Sequence, residues 1–560
     1  MSDRNRIEFG GNTSANQAGS YSKWVGFIFI FNLIVGTGAL TLPATFAKAG
    51  WLLSINVILY LALISHMTVT FVIEAMAAAN AVKTWQSFQV LKRSYDFENS
   101  HVNDDDDVEN VETSSGMEEH TAERETDDPC ATLLPRIKIS KRLDRMPVYA
   151  QHSTLMYYRL DEKFELGEMA TLFFNDVGRI LFYLCICIYL YGDLSIYSAA
   201  IAKSLRDLFC DHVNATDSAN FTIFDSTMDS LNLTLSNNET DNDAVTLCWH
   251  AYTLTRLNVY RLFLTGFIII FGPFAVFSVQ KTKYLQIVTA LFRWCAFIFM
   301  ISIAVKLLIT DGAKGHPPTV NVFGIPALFG ACVYSFMCHH SLPSLLAPIR
   351  NKHAISKILC ADYILICMFY ILLAMTGIFA FERIQDLYTL NFIPDEIDDY
   401  SFRAKLLVGI DYFLALFPIC TLSASFPIIA ITLRNNLQTL FLDMTHFESY
   451  NLFVRRILFP LLAVLPPFVI TYFTESLTSL VAFTGSYAGA GIQYVIPVAL
   501  VHYARTTCRE LLGSGVVNQF ESPFRSNYWL FFVLLWTATC VSLVTLNFFL
   551  KYNCRLVSDI

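Results

Sequence analysis

Charge is scarce in this sequence. Asp, Glu, Lys and Arg make up only 15% of residues against 54% hydrophobic, and mean hydropathy is +0.46. That balance excludes an ordinary soluble protein and defines a membrane protein. Amphipathic stripes are also missing over most of the 560 residues. The apolar residues come instead in blocks of about 20, so one membrane-embedded domain accounts for most of the length. No removable signal peptide is visible, because the first 20 residues are polar and the first apolar block has no small-residue cleavage site. Paired catalytic carboxylates, a nucleophile motif and a phosphate loop are not found, so no enzyme is expected. The net charge of −8 comes largely from one acidic segment, and nucleic acid is not an expected partner.

Blocks long enough to cross about 30 Å of hydrocarbon predict eleven spans, at 24–47, 51–78, 174–203, 259–279, 286–309, 323–348, 359–381, 405–432, 456–473, 477–502 and 527–550. The organisation expected is a cytosolic N-terminus (1–23), spans 1 and 2 (24–78), a cytosolic insert (79–170), span 3 (171–205), a luminal or extracellular loop (206–256), spans 4 to 11 (257–550) and a luminal or extracellular tail (551–560). Orientation rests on the basic residues of one side: Arg4, Arg6, Lys23, Lys281, Lys283, Arg350, Lys352, Lys357, Arg434, Arg455, Arg456, Arg505, Arg509 and Arg525. By the positive-inside bias that side is cytosolic.

The opposite side carries an independent mark. Asn214, Asn220, Asn232 and Asn238 each begin an Asn-X-Ser/Thr sequon, and their clustering predicts a glycosylated loop. The sequon at Asn12 falls on the cytosolic side and is expected to stay unmodified. All cysteines except Cys210, Cys248 and Cys554 fall in spans or cytosolic segments, where they act as small apolar residues. Cys210 and Cys248 bracket the sequon-rich loop. A bridge between them would remove about 4 kcal/mol of chain entropy from the unfolded state, and Cys554 is a competing partner.

The insert has no apolar block. Asp104–Asp107, Glu109, Glu112, Glu118, Glu119, Glu123, Glu125, Asp127 and Asp128 make it acidic, and it is expected to be largely disordered. The basic run from Arg136 to Arg145 suits an anionic membrane surface or pairs with the acidic stretch. Tyr157, Tyr158, Arg159 and Leu160 fit a tyrosine-based sorting signal, which points to a lysosomal or endosomal membrane beside the plasma membrane.

Residues 31–43 read FNLIVGTGALTLP. Two glycines and a proline weaken a helix interior by about 1 and 3 kcal/mol each. Backbone freed in lipid must find partners, so a break at membrane depth survives where protein or a polar cavity receives it. Span 1 therefore reads as a discontinuous helix lining a binding site. Span 6 offers the matching interruption, Tyr334-Ser-Phe-Met-Cys-His-His-Ser-Leu-Pro343. Breaks in spans 1 and 6 predict an all-α polytopic membrane protein with two inverted five-span repeats (5+5) and span 11 as an addition.

Asn32-Leu-Ile-Val-Gly-Thr-Gly-Ala-Leu-Thr-Leu-Pro43, followed by Ala49-Gly-Trp51, resembles the first-span signature of the amino acid/auxin permease family, and the eleven-span plan and Phe336–His339 of span 6 match it too. Span 3, with Tyr189-Leu-Tyr-Gly-Asp-Leu-Ser-Ile-Tyr197, resembles one narrower branch; the acidic insert has no general family counterpart. The resemblance implies an amino-acid/polyamine/organocation-like bundle with substrate held among spans 1, 3, 6, 8 and 10. It implies a substrate carboxylate at the amides of Gly36, Thr37, Gly38 and Ala39, with Ser335, Phe336 and Tyr191 around the amino group or side chain. In sodium-coupled relatives an asparagine before the Ile-Val-Gly run and a span-8 hydroxyl hold the ion. Asn32 takes the first role here, with the backbone of Val35, and Thr421, Ser423 and Ser425 are candidates for the second. Each hydroxyl can equally be an interhelical packing group.

Embedded charges come last. Asp193 lies mid-span near the expected site, where loss of water disfavours the charged form and makes proton binding available; the alternative is a structural pair. Glu74, His66 and Arg293 lie nearer span ends or the bundle surface and read as structural. His339 and His340 diverge by about 100° on a helix, and no metal site is expected.

The function implied is secondary active transport of small neutral amino acids, with Na+ or H+ as coupling ion and no other cofactor. The alternative is an amino-acid sensor signalling through the insert to a cytosolic protein. The expected partners are the small-molecule substrate and the lipid bilayer.

Overall fold

The computed structural model describes residues 22–104, 157–210, 247–249, 254–276, 283–392, 402–442, 451, 453–513 and 515–558. The four clustered sequons, Asn12, the acidic stretch beyond Asp104 and the basic run at 136–145 lie outside them. Every named element among the described residues is helical, and the protein is a multi-pass helical membrane protein. Eight helices are each long and apolar enough to cross a membrane, and one bent pair adds a ninth span.

Span 1 is that pair. Helices α1 (Lys23–Ile34) and α2 (Thr37–Ala49) meet at Val35 and Gly36 with a bend of 51°. Span 2 is α3 (Trp51–Asp104), and a short α4 (Leu166–Phe173) leads into span 3, α5 (Asp176–Phe209). Spans 4 and 5 are α6 (Arg256–Phe271) and α7 (Lys283–Thr310). Span 6 is divided into α8 (Ile325–Ser335) and α9 (Leu342–Leu346). Spans 7, 8 and 9 are α10 (Ile355–Ala380), α11 (Phe402–Phe441) and α12 (Phe459–Phe473). Span 10 comprises α13 (Leu477–Thr484) and α14 (Ile496–Leu512), separated by π turns at Gly485–Gly489 and Gly491–Val495. Span 11 is α15 (Asn527–Ser558).

Spans 6 and 10, like span 1, are built from short pieces, and their interruptions fall in the core. π turns cluster at functional sites because they re-aim side chains at the cost of regular bonding. Outward-facing Leu63, Ile269 and Phe531 are exposed, as apolar residues turned toward lipid must be.

The insert differs from expectation at both ends. Residues 79–104 continue span 2 as helix, because no glycine or proline interrupts the chain from Trp51 to Asp104. At the other end, residues 157–165 pack against the bundle. Leu160 is fully buried, and Tyr157, Tyr158 and Phe164 are buried with it. Lys352 donates to the carbonyls of Leu160 (2.9 Å) and Ala347 (2.6 Å), Gln519 donates to that of Tyr158 (3.0 Å), and Lys83 pairs with Glu162. With both tyrosines and the leucine buried, the sorting signal read from the sequence is not presented on the surface. Cys210 and Cys248 are bridged, so the competing pairing with Cys554 is not the one formed.

Close approaches of small residues set the centre of the bundle. A Cβ at Gly38 would come within 2.6 Å of the Ser335 backbone, so spans 1 and 6 cross backbone to backbone there. Gly330 and Gly485 bring span 6 against span 10 in the same way, and Gly192 brings span 3 against Thr484. Spans 1, 3, 6 and 10 thus meet around the two breaks.

Candidate functional site

The break in span 1 frees carbonyls that need donors, and the neighbouring spans supply them. Tyr370 of span 7 places its hydroxyl 3.2 Å from the carbonyl of Ile34 and 2.9 Å from that of Ser335, one proton serving both breaks. Arg293 of span 5 donates to the backbone carbonyl of Asn32 and, at 2.9 Å, to its side-chain oxygen. Thr41 donates to the carbonyl of Gly38 (3.0 Å), and Ala39 bonds back to Gly36 (3.2 Å). As the first residues of a helix, Gly36, Thr37 and Gly38 present amides without intrahelical acceptors, a geometry that favours an anion. Beside Gly36 there is open space, since a Cβ there would meet nothing within 4 Å.

Asp193 reaches the same place from span 3. It is buried and accepts a short hydrogen bond from Tyr334 of span 6. The Tyr334 hydroxyl is also 3.1 Å from Thr37 Oγ1. With the tyrosine proton given to Asp193, Thr37 is the donor of the second bond. A chain of three polar groups, Thr37–Tyr334–Asp193, therefore links the first turn of α2 to a carboxylate at the middle of the membrane. Tyr197 neighbours Asp193 and Thr37, and Tyr189 lies against Tyr334 with ring centroids 6.4 Å apart. Tyr189, Asp193 and Tyr197 stand four residues apart, one stripe of span 3.

Other residues singled out in the sequence are placed differently. Tyr191 donates to the carbonyl of Leu462 in span 9 (2.9 Å), because it sits about 200° around the helix from Asp193. Asn32 is bonded to a guanidinium, so Arg293 points into the bundle and is not a surface group. Thr421 and Ser425 donate to carbonyls of their own helix, Phe417 (2.8 Å) and Thr421 (3.1 Å). Ser423 lies between them, partly buried, on a helix packed chiefly along span 3. Val35 and Ala39 are buried at the break, and Phe336, fully buried, stacks on Tyr363 at 5.9 Å. Ser335 donates to Ala331, one turn back, at 2.7 Å. His339 is buried with Nε2 2.9 Å from Thr68. Among the described residues no group of three His, Cys, Asp or Glu side chains is placed to hold a metal ion.

Sequence reasoning missed Tyr334, Tyr370, Arg293, Tyr189 and Tyr197 as members of this centre. For the span-3 tyrosines the signal was available in the four-residue spacing. For Arg293 none was, because its direction depends on the rotation of span 5, fixed by Trp294 stacking on Phe31 at 4.3 Å.

Ion pairs close both ends. At one, Asp386, in the loop after span 7, is paired with Lys48 (3.3 Å) and Lys203 (3.8 Å) and accepts from Thr478 (2.7 Å), joining spans 1, 3 and 10. Burial alone would push its carboxyl up, but Lys203, then Lys48 and Thr478, bring it down to about 2. At the other end Glu74 of span 2 receives both Arg505 nitrogens (2.7 and 2.8 Å) and the amide of Ser522 (3.0 Å).

These features define a polytopic α-helical membrane protein whose centre is two broken spans joined through a tyrosine to a buried carboxylate. The chain belongs to the transmembrane amino acid transporter protein family, whose model matches residues 19–95 and 151–542. It is similar to a transmembrane protein 104 homolog of Drosophila melanogaster, 60% identical over 532 residues that cover 95% of this chain and 98% of the relative. Transmembrane protein 104 of Homo sapiens is 42% identical over 537 residues, covering 95% and 97%. A homolog of Dictyostelium discoideum is 30% identical over 549 residues, covering 95% and 98%. The family match skips the segment holding the acidic run, so the helical bundle carries the family relationship.

Proposed function

We propose that this chain is a secondary active carrier of small neutral amino acids driven by protons. The substrate carboxylate sits on the amides of Gly36, Thr37 and Gly38, and Ser335 and Phe336 flank its amino group and side chain. The close crossing of Gly38 and Ser335 favours a small side chain. Asp193 takes up the coupling proton, and Tyr334 carries its state to Thr37 beside the substrate. The observation that carries this reading is the chain Thr37–Tyr334–Asp193, which joins a titratable group to the break by two hydrogen bonds. Arg293 favours protons over sodium, because a fixed guanidinium already satisfies the oxygens of Asn32.

The basic side, including the N-terminus and the insert, faces the cytosol; the sequon-rich loop and the C-terminal tail face the lumen or exterior, in the plasma membrane or the lysosomal and endosomal membrane. Substrate flux in proteoliposomes, with sodium and pH gradients varied separately, tests the carrier. Uptake driven by a pH gradient alone is expected; no flux under any gradient would overturn it. A second role as a sensor is supported by the docked segment 157–165, which ties the end of the insert to spans 2, 7 and 10. Deleting 105–156 is expected to abolish binding of a cytosolic protein partner and to leave flux intact.

A further inference from the structure

Span 7 contains a second carboxylate with no role in the site described above. Asp362 is fully buried, and among the described residues neither of its carboxylate oxygens has a hydrogen-bond partner. It stands eight residues before Tyr370, about 12 Å along the helix and about 80° around it. Tyr370 is the residue that bonds the carbonyls of both breaks. Its electrostatic neighbour Cys338 puts it on the side of span 7 toward the span-6 break, between the breaks and the cytosolic end where Ile355 begins the helix.

Among the described residues, the groups around it offer no compensating charge. Cys338 of the span-6 break is its electrostatic neighbour. Next to it Tyr363 is engaged with Ser65 (2.9 Å) and Cys338 (3.4 Å) and meets the ring of His66 edge-on. His339 is bonded to Thr68, Arg293 of span 5 is committed to Asn32, Lys48 to Asp386, and Lys23 at the start of span 1 is exposed. A carboxylate without donors is too costly in a hydrocarbon interior, whereas a carboxylic acid is tolerated.

We infer that Asp362 is a second proton-binding site, loaded in this arrangement, where it is buried, and emptied when a path between spans 1, 6 and 7 opens to cytosolic water. On opening, the proton passes to water and leaves a solvated carboxylate; the path cannot close again until that carboxylate is reprotonated. Asp362 thereby makes return of the carrier depend on a proton at a point separate from Asp193. Its coupling role rests on the carrier reading above, but its protonation does not.

The experiment uses the full chain in lipid, wild type and Asp362→Asn, which keeps size and removes titration. Infrared difference spectra at neutral pH are expected to contain the carbonyl stretch of a non-hydrogen-bonded carboxylic acid in wild type and to lose it in Asp362→Asn; a band unchanged by the substitution overturns the proton site. In proteoliposomes Asp362→Asn is expected to lower pH-driven accumulation by roughly tenfold or more while exchange of labelled for unlabelled substrate at equal pH continues. Accumulation equal to wild type overturns the coupling role. If wild type itself carries nothing, the carrier reading fails and the infrared band still decides whether Asp362 holds a proton.

Discussion

Arg293 holds Asn32 by two oxygens, its backbone carbonyl and its side-chain amide, from the neighbouring span. The first-span motif alone points to a sodium ligand at this position, and the guanidinium supplies the positive charge that sodium would bring. A sodium site at a hundredfold excess over Kd would add about 2.7 kcal/mol of stability. Replacing choline by sodium is therefore expected to leave both thermal stability and uptake unchanged. A sodium-dependent rise in Tm of the purified protein would contradict the assignment.

The link from Asp193 to the break can be cut without changing shape. Tyr334→Phe removes one hydroxyl that joins Asp193 to Thr37, a loss of about 1–3 kcal/mol for a buried hydrogen bond. Proton-driven uptake is expected to fall roughly 5- to 150-fold by the same conversion, and Asp193→Asn to abolish it. Equal pH-rate profiles for wild type and Tyr334→Phe would show that the hydroxyl carries no coupling.

Gly36 and Gly38 should separate function from packing. Gly38→Ala places a methyl group within 2.6 Å of the Ser335 backbone and is expected to lower the yield of folded protein. Gly36→Ala enters open space, so the protein is expected to fold and bind substrate more weakly. Substrate-induced thermal shift of the two variants distinguishes the cases; equal behaviour would refute the crossing.

Asp386 anchors the end of the bundle reached by Lys48, Lys203 and Thr478. Its folded-state carboxyl titrates near 2 against an ordinary 3.8. A depressed value contributes stability above the ordinary range and loses it as pH falls toward 2, an effect of about 2 kcal/mol. The clamp is thus intact at pH 5 as at pH 7. Asp386→Asn is expected to lower Tm by the same amount at both values, and a deficit present only at pH 7 would be inconsistent with the pairing.

Leu160 reports on the docked segment. Leu160→Ala should cost about 2–5 kcal/mol as a core truncation, read by thermal denaturation. A loss below roughly 0.5 kcal/mol, as for a surface residue, would mean the segment is not held against the bundle.

The class of fold and both breaks were legible because glycine, proline and polar residues in an apolar run have a direct backbone cost. Asp193 was legible for the same reason, since a charge in lipid is conspicuous. Tyr191 was mistaken for Tyr189 and Tyr197 because residue type was weighed without helical phase. The buried turn at 157–165 was hidden by its neighbourhood: a few apolar side chains beside a long acidic run resemble an accessible peptide until Lys352 and Gln519 give its backbone partners.

Tyr370 serves Ile34 and Ser335 with a single hydroxyl. Two otherwise separate discontinuities are therefore riveted to one rigid rod, and neither can rewind toward regular helix without giving up its share of that proton. A displacement at either break alters what is offered to the other, so the two spans can be linked through a redistribution of one hydrogen bond before any helix has tilted.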